Sequence, residues 1–373
     1  MSSQKQFNVG VVGYGLSAKV FHIPFITLTP SLRLHAIAQR SPTEGNSAPA
    51  DHPGVLHVRT AEELLAEEAG VDVVVLCTPP DTHYRLARAA LEAGKHVLVE
   101  KPFVPTAAEA TELAELARAR GRVLCVYQNR RWDADFLTIR RLLDEGTLGR
   151  VVEFETHFDR LRVAAPSGGW KAGTSIHDGG GVLYDLGTHL LDQVFVLFGM
   201  PTAVYARFVR QREGRLVRGV AGEPDEPDSV TAVLTYDGTG LVALVRIGVV
   251  SVEADQLRFW VRGSKGSYRK TGLDPQEDQL RGGGKVTDPN FGREDESRYG
   301  RLSLLQEDGS VLNRPCPTVE PPETYLKFYE LFAKALQSGR EEDVPVPATQ
   351  AAQVLRIIEA IRESAKSGRE VTL

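Results

Sequence analysis

Asn8-Val9-Gly10-Val11-Val12-Gly13-Tyr14-Gly15-Leu16-Ser17-Ala18 decides how the amino-terminal part of the chain is read. A run of strand type, Asn8 to Val12, passes directly into G-x-G-x-x-A. Strand, glycine turn and helix follow one another in the order a dinucleotide-binding turn requires. Gly13 would make the tight turn and Gly15 would let the backbone approach a pyrophosphate. Ala18 would keep helix and sheet close, and Leu16 belongs to the same ligand-facing turn. The amides that open the helix favour an anion, and Pro24 is expected to shorten or kink that helix.

Leu32 to Ala38 reads as the next strand, ending in Gln39-Arg40-Ser41. An NAD enzyme places an acidic residue here, about 20 residues past the glycines, to hold the ribose 2′-hydroxyl. A guanidinium and a hydroxyl, Arg40 and Ser41, stand there instead and suit a 2′-phosphate. The cofactor expected is therefore NADP, with NAD as the second choice. Thr60-x-x-Glu63 and Thr106-x-x-Glu109 read as capping boxes. Asp72 to Cys77 is an apolar run closed by Thr78-Pro79-Pro80, and Thr82 is expected to cap a helix ending at Gly94. Val123 to Tyr127 completes a strand–helix alternation, which predicts an α/β doubly wound parallel sheet.

Between these lies Gly94-Lys95-His96-Val97-Leu98-Val99-Glu100-Lys101-Pro102-Phe103. Val97–Val99 reads as a short buried strand that delivers Glu100, Lys101 and Pro102 at its carboxyl end, where open α/β sheets bind ligands. Desolvation there favours a neutral amine, so Lys101 reads as a group able to hold or pass on a proton. Pro102 restricts Lys101 and makes a cis peptide bond available.

From Gln128 the pattern changes. Gln128-Asn129-Arg130-Arg131-Trp132 is a polar, basic and aromatic cluster at a strand end, and Val151 to Phe158 alternates apolar and polar residues. His157 is expected on the face opposite Phe158. The second informative stretch is Gly179-Gly180-Gly181-Val182-Leu183-Tyr184-Asp185-Leu186-Gly187-Thr188-His189. Asp185 and His189, four apart, would share one helix face. A carboxylate one turn from an imidazole can orient it for general acid–base work. Four runs between Ala203 and Arg262 then alternate with turn signals, predicting a largely antiparallel sheet with one face packed on helices. Leu273 to Gly300 reads as a long loop, and two helices follow it. The expected domains are 1–128 and 129–373, with the last helix able to pack back on the first.

Composition excludes several classes. A formal charge of −5 over 373 residues gives no pull toward nucleic acid or an acidic membrane. Cys77, Cys125 and Cys316 have neither metal spacing nor a disulfide framework, so no metal is expected. Cys77 and Cys125 sit in apolar runs and read as buried thiols. The chain enters a strand almost at once, without a leader pattern or a membrane-length apolar run, which predicts a cytoplasmic protein.

In their order along the chain these pieces resemble the glucose–fructose oxidoreductase/inositol dehydrogenase (Gfo/Idh/MocA) family. The resemblance rests on the opening G-x-G-x-x-A, Thr78-Pro79-Pro80 with His83, the Gly94–Pro102 segment and Gly180-Gly181…Asp185-x-x-x-His189. It implies an amino-terminal Rossmann domain and a carboxyl-terminal α+β domain whose large, mostly antiparallel open sheet forms a homodimer contact. It implies hydride transfer between nicotinamide and a hydroxyl or carbonyl of a sugar or cyclic polyol. Lys101, Asp185 and His189 fall on the family's catalytic triad and Glu100 on its nicotinamide–ribose contact. Thr78, Pro79, His83, Asn129 and Trp132 would line the cofactor, and His157, Asp159, Arg160 and Trp170 the substrate. The wording Gly13 to His22 with Asn129-Arg130-Arg131-Trp132-Asp133 is similar to the branch holding NADP-dependent scyllo-inositol dehydrogenases. Two alternatives stay open: a non-catalytic nucleotide-sensing regulator on the same scaffold, and a reductase of a non-sugar carbonyl or an imine.

Overall fold

The apolar runs of the first part pair into a six-stranded parallel sheet. Its strands are β1 (Phe7–Val12), β2 (Leu32–Ala38), β3 (Leu56–Val58), β4 (Val73–Leu76), β5 (His96–Glu100) and β6 (Leu124–Tyr127), in the order β3-β2-β1-β4-β5-β6. The computed structural model describes residues 5–217 and 226–373. β4 and β5 are buried along their whole length, as strands covered on both faces must be. The order reverses between β1 and β4, and a doubly wound sheet binds its ligand outside the strand ends at such a reversal.

Local signals in this unit hold to different degrees. Thr106 and Glu109 close a full capping box. Thr60 accepts from the Glu63 amide at 3.1 Å, but the Glu63 carboxylate accepts from the Arg59 amide, one residue earlier than a box places it. Thr82 does not cap its helix: its hydroxyl donates to the Pro79 carbonyl at 2.7 Å, and a 3-10 turn leads into His83–Glu92. The helix after the glycine turn is broken in two, a π-helical turn at Ala18–His22 and an α-helix at Ile23–Leu28. Pro24 lies in the first turn of the second piece, where its missing amide proton costs nothing. It therefore opens a helix rather than kinking one.

The first unit also takes in residues 277–291 and 324–352. Helix Tyr325–Ser338, which the sequence groups with the second domain, belongs here because its aromatic face has aromatic partners. Tyr329 stacks on Phe25 and Phe328 meets Tyr127 edge-on.

The second unit comprises residues 130–276, 292–323 and 353–373. Its strands are β7 (Val151–Asp159), β8 (Ala203–Arg210), β9 (Arg215–Leu216), β10 (Ser229–Tyr236), β11 (Leu241–Gly248), β12 (Leu257–Gly263), β13 (Gly266–Thr271), β14 (Gly300–Leu305), β15 (Val311–Cys316) and β16 (Val371–Thr372). They form one sheet in the order β15-β14-β13-β12-β7-β11-β10-β8-β16, with β9 on β8. Only β7 and β11 pair in parallel among the described residues. β9 and β13 to β16 escape the sequence reading because they are short or carry charged and polar residues where alternation would show. The segment expected as a long loop contains helix Gln276–Arg281.

Phe154 and Phe158 of β7 face helix Thr188–Phe198, touching Phe198 and His189 respectively. Between that helix, β7 and helix Ala134–Asp144 lies a buried guanidinium. Arg258 donates to Asp135 (3.2 Å), the Thr156 hydroxyl (3.0 Å), the His157 carbonyl (3.2 Å) and Gln193 Oε1 (2.6 Å). Helix Ala134–Asp144 is capped from a distance: Asp274 accepts the Ala134 amide at 2.7 Å, while the Asp133 carboxylate is engaged by Arg130 at 2.9 Å. Burial and the neighbouring Asp133 and Asp135 push Asp274 well above the usual carboxylate range.

Truncating Arg258 would strand Asp135 and three further acceptors in the core. Arg258→Ala is expected to lower the stability of this unit by about 3–5 kcal/mol, read as an earlier transition on urea denaturation. Replacement with no shift in that midpoint would remove Arg258 from the core's support.

Candidate active site

The first unit supplies the nucleotide side. Gly13 has φ +95°, and a Cβ there would sit 2.6 Å from the Cys77 carbonyl oxygen, so both conformation and space demand glycine. A Cβ at Gly15 would meet nothing, which leaves that backbone open to solvent. Ala18 is fully buried against the sheet. This bare turn at the β1–β4 reversal fits a pyrophosphate. Tyr14 donates to Asp51 at 2.8 Å, and Lys19 pairs with the same carboxylate at 3.3 Å. Those two contacts pin the turn to helix Ala48–Asp51, and sequence reasoning missed them.

Arg40 and Ser41 lie exposed just past β2, with no hydrogen bond or ion pair of their side chains among the described residues. Gln39 is buried and structural: its amide donates to the Asn46 carbonyl and accepts from the Ala48 amide. Cys125 is buried, but Cys77 is only half-buried.

Lys101 stands at the carboxyl end of β5, and the Lys101–Pro102 bond is cis. The Glu100 carboxylate beside it is not open to a ligand. It accepts from Ser17 Oγ at 2.7 Å, from His22 Nε2 at 2.9 Å and from the Lys101 amide at 2.9 Å. Burial works against its charge, yet His22, Lys101 and Ser17 together hold it below the ordinary carboxylate range.

His83 is likewise internal. Its Nε2 lies 2.8 Å from the Thr78 carbonyl, and its Nδ1 lies 3.0 Å from that of Pro102 and 3.1 Å from that of Phe103. Burial lowers its pKa. It ties the Thr78-Pro79 turn to the cis-proline turn after Lys101, so the structure gives it a bracing place rather than a ligand-facing one. Asn129 is buried at the end of the same unit.

The second unit supplies the other side. Asp185 lies in a π-helical turn, Leu183–Gly187, that runs into helix Thr188–Phe198 carrying His189. Wide turns of this kind are found disproportionately at functional sites. Both residues are buried. The His189 ring stacks on Phe158, with centroids 6.2 Å apart. Asp185 accepts from Lys171 at 2.8 Å, and Arg162 stands 3.6 Å away. Neither cation was singled out from the sequence; Lys171 adjoins Trp170, over whose ring it lies. Arg160 and Arg130 both face the Phe158 ring, at 5.1 and 4.9 Å.

His157 and Asp159 do not join this group. Alternation on β7 puts them opposite Phe158, and there the His157 ring sits between Glu155 (3.3 Å) and Asp159 (3.2 Å). They therefore point away from His189. Trp132 is buried in a 3-10 turn, its carbonyl accepting from Gln276 at 3.0 Å. Arg131 makes a two-pronged pair with Asp192 on the His189 helix, at 2.8 and 2.6 Å. The basic cluster expected to meet a ligand thus largely anchors that helix. Among the described residues no cluster is arranged to hold a metal ion, and no helix is long and apolar enough to cross a membrane.

A glycine turn at the switch point of a parallel sheet, with a lysine at a neighbouring strand end and an Asp–His helix in a second α/β unit, defines an NAD(P)-binding oxidoreductase. Comparison with known proteins carries this to a family. Residues 7–128 match the oxidoreductase family's NAD-binding Rossmann fold and residues 140–373 its C-terminal alpha/beta domain. The chain belongs to the Gfo/Idh/MocA oxidoreductases. It is 40% identical to the Escherichia coli oxidoreductase YdgJ, over 96% of each chain. It is 35% identical to the Bacillus subtilis scyllo-inositol 2-dehydrogenase (NADP(+)) IolW, over 98% of this chain and 95% of that one. The solved structure of the Bacillus subtilis oxidoreductase YvaA superposes with a TM-score of 0.88 at 34% identity, over 100% of both chains.

Proposed function

We propose that the chain is an NADP(H)-dependent oxidoreductase acting on a hydroxyl or carbonyl of a sugar or cyclic polyol of inositol type. The observation that carries the reading is the direct tie between Lys101 and the nucleotide turn. Glu100, next to the lysine, is bonded to Ser17 of that turn. The similarity to IolW supports both the polyol class and NADP. The turn Gly13 to Ala18 would hold the pyrophosphate, and Arg40 with Ser41 the adenosine 2′-phosphate. Bound there, the nicotinamide supplies or receives the hydride.

This chain's own residues handle the proton. His189 accepts it from the substrate hydroxyl at the imidazole, and Asp185 stabilises the imidazolium so formed. Lys101 donates a hydrogen bond to the oxygen as negative charge develops on it. Phe158 holds the imidazole ring flat. Lys171 and Arg162 orient the Asp185 carboxylate. The face of the large sheet away from the helices bears Tyr205 and Trp260, 37% and 36% exposed. A second copy of the chain would cover that face, and light scattering at twice the monomer mass is the expected result.

NADP⁺ reduction measured against inositols, aldoses and their derivatives tests the activity. At least one polyol or sugar is expected to turn over, and Lys101→Met should abolish that turnover while NADPH binding stays near normal. Full activity of the variant would take Lys101 out of the mechanism. Activity confined to imines or non-sugar carbonyls would overturn the substrate class.

Arg40→Ala is expected to weaken NADP⁺ by roughly tenfold or more, the scale of a lost charge-assisted hydrogen bond, with NAD⁺ little changed. Equal effects on the two nucleotides would show that Arg40 does not read the phosphate.

A further inference from the structure

His22 is the most completely enclosed imidazole of the first unit, with no exposed surface. The reading above gives it no part. It ends the π-helical turn that follows the glycine turn. Its Nε2 lies 2.9 Å from Glu100 Oε1 and its Nδ1 2.6 Å from the Tyr329 hydroxyl. Three aromatic residues fix the ring. Tyr127 lies 4.3 Å from it, centroid to centroid, Tyr329 meets it edge-on, and Phe25 stacks on Tyr329. Such a ring cannot turn away from the carboxylate without breaking the core.

Burial alone would drive the proton off. The Cys77 sulfur and the Glu100 carboxylate beside the ring outweigh it, and its pKa is raised to about 10. Both ring nitrogens then donate, to Glu100 and to Tyr329.

Glu100 passes this constraint in two directions. Oε1 also accepts from Ser17, the last residue before Ala18 in the nucleotide turn, and Oε2 accepts from the Lys101 amide. We infer that His22 is a positioning residue that, through Glu100, sets the Ser17 end of the nucleotide turn and the backbone at Lys101 as one unit. Nucleotide affinity and lysine placement are then coupled through a side chain that touches neither ligand. A buried carboxylate without its charged donor would regain water or protonate, and both of its other contacts would slacken together.

This rests on the nucleotide-binding reading of the first unit, and the test separates the two. His22→Phe keeps a buried ring without a donor, His22→Gln keeps a donor toward Glu100, and Ser17→Ala removes the neighbouring bond. Binding is measured with whichever of NADP⁺ and NAD⁺ the wild-type protein holds more tightly. His22→Phe is expected to weaken it about tenfold or more, the scale of a lost hydrogen bond to a charged group. kcat should fall with it while KM for the polyol changes little, and His22→Gln should restore most of both. Combined with Ser17→Ala, the losses should be less than multiplicative.

In the nucleotide-free protein, the slowly exchanging His22 ring N–H resonance should shift in Ser17→Ala, which reports the shared carboxylate without any cofactor. Wild-type affinity in a folded His22→Phe, or losses that multiply, would overturn the inference. Should His22→Phe fail to fold, an unmoved resonance in Ser17→Ala overturns it instead. Failure of the wild-type protein to bind either nucleotide would fall on the functional reading, and the resonance would still judge the positioning role.

Discussion

Taking a carboxylate out of water costs several kcal/mol unless donors replace its hydration, and Glu100 has three of them from three places in the sequence. A hydroxyl comes from the glycine turn, an imidazole from the end of a wide helical turn, and an amide from the strand end that bears the lysine. The requirement to satisfy this one group draws together segments that would otherwise be adjacent only through the sheet. It reaches further still. The imidazole needs its own partner, and Tyr329 supplies it from the other end of the chain. That contact, with the aromatic packing around it, explains why a late helix sits with the first unit.

The second unit solves the same problem with the opposite charge. Arg258 enters the core only because four acceptors meet it there, and one of them, Gln193, stands one helical turn beyond His189. Arg131 grips Asp192 on the same helix. The position of the imidazole is thus set by ionic contacts beneath its helix, while Phe158 sets its tilt. Buried ion pairs of this kind add little to net stability over apolar packing. What they add is directional: a guanidinium with fixed prongs accepts one arrangement of its neighbours.

The parallel sheet, the glycine turn and the lysine strand end were legible because each is announced by local residue patterns. An apolar run, a Gly–Gly spacing and a proline carry that message within about ten residues. The charged strands β13 and β15 were illegible for the converse reason, since the apolar alternation that reveals a half-buried strand is absent. Site residues divided along the same line. Lys101, Asp185 and His189 lie on elements whose type is locally encoded. The direction of His157 was legible, opposite Phe158, but not what that face holds. Lys171 and Arg162 were missed because a loop's pairing with a distant carboxylate leaves no mark on its own sequence. His22 was quoted in a motif without a role, since nothing near it names Glu100, 78 residues away.

Both segments bearing the chain's key histidines contain a turn one residue wider than an α-helix allows. An α-helix advances about 100° per residue, so adding or deleting a single residue in either turn would swing everything after it by that angle. The number of residues from Gly13 to His22, and from Gly181 to His189, is therefore as constrained as their identity. A relative with a one-residue gap in either stretch would present another side chain to Glu100, or turn its imidazole off Phe158, however well the remaining letters agree.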